Sequence, residues 1–377
     1  MARSYESIIN LLKSDDEGWD PDQKKILELK TDNNYVVEGG PGAGKTLLAI
    51  KKSMEMDNGN KRILHLMYNR PLSYFVKEII ETIGMTGDVE VLTYCSWAIG
   101  LSREIGVGHP WNGDQTDWDR FEEMTRSVGK LYSVIITDES QDFPPSLLRA
   151  LCNISVSVIG FIDPHQAVEE YKTDVNDVLQ ALNTNEIYRL SYNHRCSKAI
   201  MESARSFLTG KKRYVIGTNK RGNYPTMVYT GGHSDPFVIK DKFMIRFAMN
   251  HKEESVGVIA NSKNLNRLYD MFRSNGINVQ IYKARGRDNI DFTTPGVKLV
   301  SFGTMKGLEF DHVIIPNTEY VRSTGDRTRD FNRMYVAMTR AAKNVYMLYA
   351  DSSSKDKWVS ALKHIEENSP LFDWCSV

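Results

Sequence analysis

The sequence predicts an α/β protein of two tandem domains, each a parallel sheet flanked by helices. Three observations carry that expectation. The octapeptide GGPGAGKT at 39–46 stands between a β-branched run and a helical pattern. The order strand, loop, helix repeats along the chain. The length of 377 residues suits two domains of about 150 residues or somewhat more.

In the first half, strands are expected around Tyr35–Glu38, Arg62–Met67, Val89–Thr93, Ser133–Asp138 and Ser155–Ile162. After Asn69, Leu72, Phe75, Val76, Ile79 and Ile80 recur at the three-and-four spacing of one buried helix face. The octapeptide has the G-x-x-x-x-G-K-[ST] form of a phosphate-binding loop. Its glycines Gly40, Gly42 and Gly44 let successive backbone N–H groups turn inward on phosphates, and Pro41 and Ala43 complete the candidate loop. Lys45 adds a point charge near the terminal phosphates and Thr46 a hydroxyl for Mg²⁺. Further on, the apolar run Tyr132–Thr137 leads straight into Asp138-Glu139-Ser140-Gln141-Asp142. Carboxylates at the C-terminal end of a parallel strand stand where open α/β sheets bind ligands. Asp138 is therefore a candidate Mg²⁺ ligand with Thr46, and Glu139 a candidate base for an attacking water. The two motifs together point to an NTP hydrolase.

The second half continues with expected strands at Thr226–Tyr229, Val256–Ala260, Val279–Tyr282, Val297–Ser301, His312–Pro316 and Asn344–Ala350, and a terminal helix over about 355–367. This alternation opens near Ile187, which sets the domains at 1–185 and 186–377, with a short insertion at 97–130. Lysine plus arginine equals aspartate plus glutamate at 48 each, so no global basic field advertises a nucleic-acid partner and any such binding needs a local groove. No apolar run is long enough for a membrane span, and the N-terminus lacks a secretory pattern. Four scattered cysteines with no C-x-x-C pair fit a reducing compartment, and a cytoplasmic location is expected.

Nine stretches, in order, carry a family resemblance: Gln23 in WDPDQKKIL, the phosphate loop, ILHLMYNRPLSYFVKE, VLTYCSWA, DESQD, IGFIDPHQA, YRLSYNHRCS, VSFGTMKGLEFDHVIIP and MYVAMTRAAKNVYML. In these the chain resembles superfamily 1 helicases of the UvrD/Rep type. The resemblance implies two RecA-like P-loop NTPase domains with ATP in the cleft between them. It matches Gln23 to a glutamine that reads adenine, Gln166 to a γ-phosphate sensor, and Gly307 and Glu309 to nucleotide contacts, the glutamate on the ribose. It matches Arg195 and Arg340 to arginines that reach the γ-phosphate from the second domain. Forked guanidinium donors suit equatorial oxygens that gain charge in the transition state. The adenine-stacking tyrosine of the family is here His194, and a customary histidine is Gly303.

The same resemblance implies single-stranded DNA running across both domains. Tyr68, Asn69, Thr93, Ser96, Trp97 and Tyr171 are the candidate contacts, aromatics as stacking platforms and polar groups for phosphates. Glu169 and Glu170 thin that side of the groove, while Lys211, Lys212, Arg213, Lys220 and Arg221, with Lys283, Arg285 and Arg287, are basic clusters that suit a phosphate backbone or a solvated face. Both positions where larger relatives carry accessory subdomains are short here. The expectation is an ATP- and Mg²⁺-dependent 3′ to 5′ single-stranded-DNA translocase, monomeric when isolated, with weak unwinding. Its rivals are a nucleotide switch that gates a partner such as a nuclease, and a small-molecule phosphotransferase, against which Glu139 and the paired arginines speak.

Overall fold

The computed structural model describes residues 5–377 except 15–16, 58–60, 86, 167–172, 209–217, 219, 232–234, 283–290, 292–293, 319–326 and 351–359. The chain divides into two compact units, one of Glu6–Tyr192 and one of Asn193–Val377 together with Tyr5. Among the described residues no helix is long and apolar enough to cross a membrane, and all four cysteines are free thiols.

The first unit is built on strands β1 (Tyr35–Gly39), β2 (Arg62–Met67), β3 (Asp88–Thr93), β6 (Tyr132–Thr137), β7 (Ser155–Ile162) and β8 (Ile187–Leu190), with a small hairpin of β4 (Trp111–Asn112) and β5 (Gln115–Thr116). The six strands lie in the order β3-β2-β6-β7-β1-β8, and all are parallel. A parallel sheet is covered on both faces, so its central strands read as continuous apolar runs. Val36, Val37, Ile135, Ile136, Val158 and Ile159 are accordingly buried. The helix Arg70–Ile83 starts where Asn69 Oδ1 accepts the Leu72 N–H, with Pro71 in its first turn, and ends at Gly84 in the left-handed region. Of its expected buried face, Leu72, Val76, Ile79 and Ile80 are buried and Phe75 is half-buried.

The strand Ile187–Leu190, expected to open the second domain, pairs instead with β1 and completes the first sheet. Alternation in sequence cannot say which neighbour a strand chooses, and Val36–Gly39 offers β8 a free parallel edge. The stretch 97–130 is likewise part of this unit's core. Trp118 and Phe121 of the helix Trp118–Thr125 pack with Trp97, Leu147 and Leu151.

The second unit holds β9 (Thr226–Tyr229), β10 (Ser255–Ala260), β11 (Val279–Tyr282), β12 (Gly296–Ser301), β13 (Phe310–Ile315), β14 (Ala341–Tyr349) and β15 (Asp373–Ser376). Their order is β11-β12-β10-β13-β14-β9-β15, again with parallel pairings. The helices Pro236–Asn250 and Leu265–Ser274 cover one face through Met244, Phe247, Leu268 and Phe272. The edge strand β15 is not legible as a strand in DWCS, because its side chains are exposed and carry no alternating pattern. The terminal helix is described over Ser360–Glu367; its expected beginning lies outside the described residues.

One core residue is expected to make this fold acid-sensitive. His65 on β2 is fully buried, its Nε2 2.6 Å from Ser53 Oγ and its Nδ1 without a hydrogen-bond partner. Burial pushes its pKa down to about 4. The unfolded chain takes up a proton near pH 6.5 and the folded chain does not, so this contribution to stability is complete above pH 6.5 and is lost as the pH falls toward 4. Between pH 6.5 and 5 the loss is about 2 kcal/mol. Thermal unfolding of wild type and His65→Gln across that range checks it. The variant should show a shallower acid slope, and parallel slopes would exclude His65 as the source.

Candidate nucleotide site and nucleic-acid surface

The sheet order brings three successive strand ends together. The loop after β1, Asp163 after β7 and Asp138 after β6 emerge side by side at the C-terminal edge. Within the loop, Gly42 and Gly44 have φ of 72° and 81°, a conformation that L-residues with a Cβ adopt at a cost. A Cβ on Gly44 would also lie 2.6 Å from the side-chain nitrogen of Gln23. Gln23 is held there by its own helix start: it forms a capping box with Asp20, and its Nε2 donates to Ala43 O at 3.0 Å. The amide thus keeps one N–H and one oxygen lone pair beyond these bonds, the pair an adenine edge would need.

Lys45 begins the helix Lys45–Met56 and turns its ammonium back into the loop. It donates to Gly39 O at 2.8 Å and Gly40 O at 3.2 Å, and Asp163 Oδ2 lies 3.9 Å away. Thr46 Oγ1 donates to Asp138 Oδ2 at 2.7 Å, and Asp138 Oδ1 accepts the Glu139 N–H at 3.0 Å. Burial first, and the neighbouring Glu139 charge second, push the Asp138 pKa up to about 6, against the Thr46 bond and the Lys45 charge. A hydroxyl and a carboxylate in contact are hard oxygen donors that fit Mg²⁺, whose charge would hold Asp138 ionised.

Glu139 is nearly buried and sits in the left-handed region, φ 57° and ψ 43°. Such a conformation in a non-glycine residue is typical of a functional turn. Its carboxylate accepts from Gln141 Nε2, and Gln141 Oε1 accepts the Asp163 N–H at 3.1 Å. Asp163 in turn accepts from Gln166 Nε2 at 2.7 Å and from the His165 N–H at 3.0 Å. Lys45, Thr46, Asp138, Glu139, Gln141, Asp163 and Gln166 therefore make one connected network. Gln141 was not singled out in the sequence; its glutamine in an acidic run was the available signal, but only the fold shows that it bridges two strand ends.

In the second unit Asn193 Oδ1 accepts the N–H groups of Arg195 and Cys196, a turn that aims the Arg195 side chain. Arg195 Nε donates to Glu309 Oε2 at 2.8 Å and its Nη1 to Thr339 O at 3.3 Å. Arg340 is buried and donates to Val336 O at 3.2 Å and Leu308 O at 3.3 Å. Gly307, with φ 74°, makes the turn before Leu308 and Glu309. Arg195, Glu309, Arg340 and Gly307 are thereby gathered by residues 307–309 and 339–340. His194 is half-buried, and its carbonyl, with that of Arg195, accepts from Lys220 Nζ. Lys220 thus braces this turn.

The nucleic-acid candidates divide. Thr93 and the exposed Ser96 pair through their hydroxyls at 2.9 Å, at the C-terminal end of β3. Asn69 is buried and caps its helix, which leaves it a structural duty beside any contact. Tyr68 is half-buried and lies flat against Tyr94 at 5.7 Å and Phe143 at 6.5 Å. Trp97, expected as a stacking platform, is a core residue with 2% exposure, edge-on to Phe121. Its place on the inner face of the helix Tyr94–Glu104 could not be told from the outer face in so short a motif. Tyr171, Glu169 and Glu170, with Lys211–Arg213 and Lys283, Arg285 and Arg287, lie outside the described residues.

Residues 300–348 match the family model of the UvrD-like helicase C-terminal domain. No curated protein is significantly similar to the chain. Among solved structures, S. cerevisiae Dbp5 bound to RNA and ADP BeF3 aligns at a TM-score of 0.57 with 12% identity, over 100% of this chain and 96% of that one. This likeness is one of fold. The C-terminal domain of a possible DNA helicase from Lactobacillus plantarum WCFS1 aligns at 0.34 with 19% identity over 48% of this chain and 97% of that one. Arterivirus nonstructural protein 10, a helicase solved with DNA, aligns at 0.45 with 15% identity over 88% of this chain and 62% of its own length. The chain thus carries, on its second parallel α/β sheet, a segment over residues 300–348 that is similar to the UvrD-like helicase C-terminal domain.

Proposed function

We propose that the protein is an ATP-driven translocase on single-stranded DNA, moving 3′ to 5′, with weak unwinding on its own. The observation that carries this reading is the single network from Lys45 to Gln166 at three adjacent strand ends, in a chain whose other unit gathers Arg195, Glu309 and Arg340. In this reading the loop N–H groups and Lys45 hold the phosphates, and Gln23 selects the base. Thr46 and Asp138 hold Mg²⁺, which when bound neutralises phosphate charge. Glu139 takes the proton of the attacking water while Gln141 fixes its carboxylate. Arg195 and Arg340 exchange their present partners for the γ-phosphate, so nucleotide binding draws the two units together and hydrolysis releases them. DNA affinity then differs between the two states, which is the requirement for directed motion.

With equal numbers of acidic and basic residues, DNA binding rests on a few phosphate contacts. Each should steepen the log–log salt dependence by about 0.7. The paired test is streptavidin displacement from either end of a biotinylated single strand, and strand separation of a tailed duplex. Displacement confined to the 5′ end is expected, with little unwinding. Displacement from the 3′ end would reverse the direction, and robust unwinding of long duplexes by the monomer would refute the weak-helicase reading.

The burial of Trp97 and the covered faces of Tyr68 also favour a second reading, a nucleotide switch that gates a partner such as a nuclease. An ATPase rate indifferent to single-stranded DNA would select it.

A further inference from the structure

Two histidines and a carboxylate to which the nucleotide and nucleic-acid readings give no role converge beside the second sheet. His251 ends the helix Pro236–Asn250, Glu254 precedes β10, and His312 lies in β13. One donor atom from each lies within 4.8 Å of the others, and His312 Nε2 is 2.9 Å from Glu254 Oε2. We propose that His251, Glu254 and His312 form a binding site for a divalent transition metal of the zinc class, separate in role from the Mg²⁺ ligands of the first unit.

The surroundings orient both rings as ligands. His251 Nδ1 lies 2.8 Å from Phe247 O, and a carbonyl only accepts, so Nδ1 carries the proton and Nε2 keeps its lone pair. A backbone carbonyl on the far nitrogen is the usual support of a metal-binding histidine. The ring is also stacked on Phe247 at 4.0 Å and 16°. His312 stands edge-on to both, 4.6 Å from His251 and 5.2 Å from Phe247. Its Nδ1 is 3.2 Å from the side-chain nitrogen of Asn344, its neighbour across β13 and β14. Rotating that amide by half a turn offers its oxygen to Nδ1–H, which frees Nε2 for a metal.

Two imidazoles and one carboxylate are the donor set of three-ligand zinc sites, with distances near 2.0–2.2 Å after modest closure and a fourth place for solvent; oxygen-seeking Mg²⁺ and Ca²⁺ are poor matches. Lys343 opposes the metal. Its ammonium contacts Glu254 Oε1 and lies 3.1 Å from Asp311 Oδ1, so it competes for the same carboxylate. Removing Lys343 should therefore tighten metal binding, an effect that a purely structural ion network would not produce.

The chelator-treated full chain, free of nucleotide, is titrated with Co²⁺ followed by visible absorption, and with Zn²⁺ followed by thermal unfolding. One saturable equivalent with d–d bands is expected, and Zn²⁺ should raise the Tm. His251→Gln, at a half-exposed helix end, should abolish the bands while unfolding like wild type in chelator. Asn344→Ala should weaken binding by about 10–100-fold, and Lys343→Met should strengthen it. Absence of saturable Co²⁺ binding, or binding equal in wild type and His251→Gln, would overturn the proposal.

Discussion

Glu139→Gln should lower ATP turnover by about 10²–10⁴-fold with little change in ATP affinity. The amide keeps the size of the carboxylate and can still bond Gln141, so the left-handed turn and the bridge to Asp163 remain. Only the capacity to take a proton is lost. Lys45→Ala should be at least as damaging, but less selectively. Its ammonium joins Gly39 O, Gly40 O and Asp163, and without it two loop carbonyls and a buried carboxylate lose their cation. Nucleotide binding should therefore fall together with turnover. Single-turnover hydrolysis beside equilibrium binding of a fluorescent ATP analogue separates the two variants. Wild-type turnover in Glu139→Gln would remove that residue from the role of base.

Arg195→Ala and Arg340→Ala should each cut turnover by about 10³-fold or more, and ATP affinity by much less, because in the proposed mechanism they act on charge that grows during the reaction. Their side effects differ. Arg195 is partly exposed, and its loss releases Glu309. Arg340 is buried against two carbonyls, so its loss also leaves polar groups unpaired. Arg340→Lys is the needed companion, since it keeps the charge but not the fork. Recovery of turnover by lysine at position 340 would mean that charge alone suffices and would reject the forked contact. A first-unit fragment offers a second check and should be nearly inactive. It must run through Tyr192, since ending near Gln180 would strip β8 from β1. Full activity in that fragment would show that the arginines are dispensable.

The sequence by itself determined the fold class and the phosphate loop, for a local physical reason. Glycine at φ-positive turns, a lysine and threonine opening a helix, and apolar runs ending in carboxylates are all imposed over a few neighbouring residues, and Gly42, Gly44, Lys45, Thr46 and Asp138 are legible from them. The tertiary structure alone decided what depends on which strand lies beside which. The order β6-β7-β1 makes Gln141 the bridge between Glu139 and Asp163, and the free edge of β1 draws Ile187–Leu190 into the first sheet. It also turned Trp97 into the core and brought His251, Glu254 and His312 together across 62 positions of chain. Such pairings are settled by long-range burial and hydrogen bonding, and residue spacing within one segment carries no record of them.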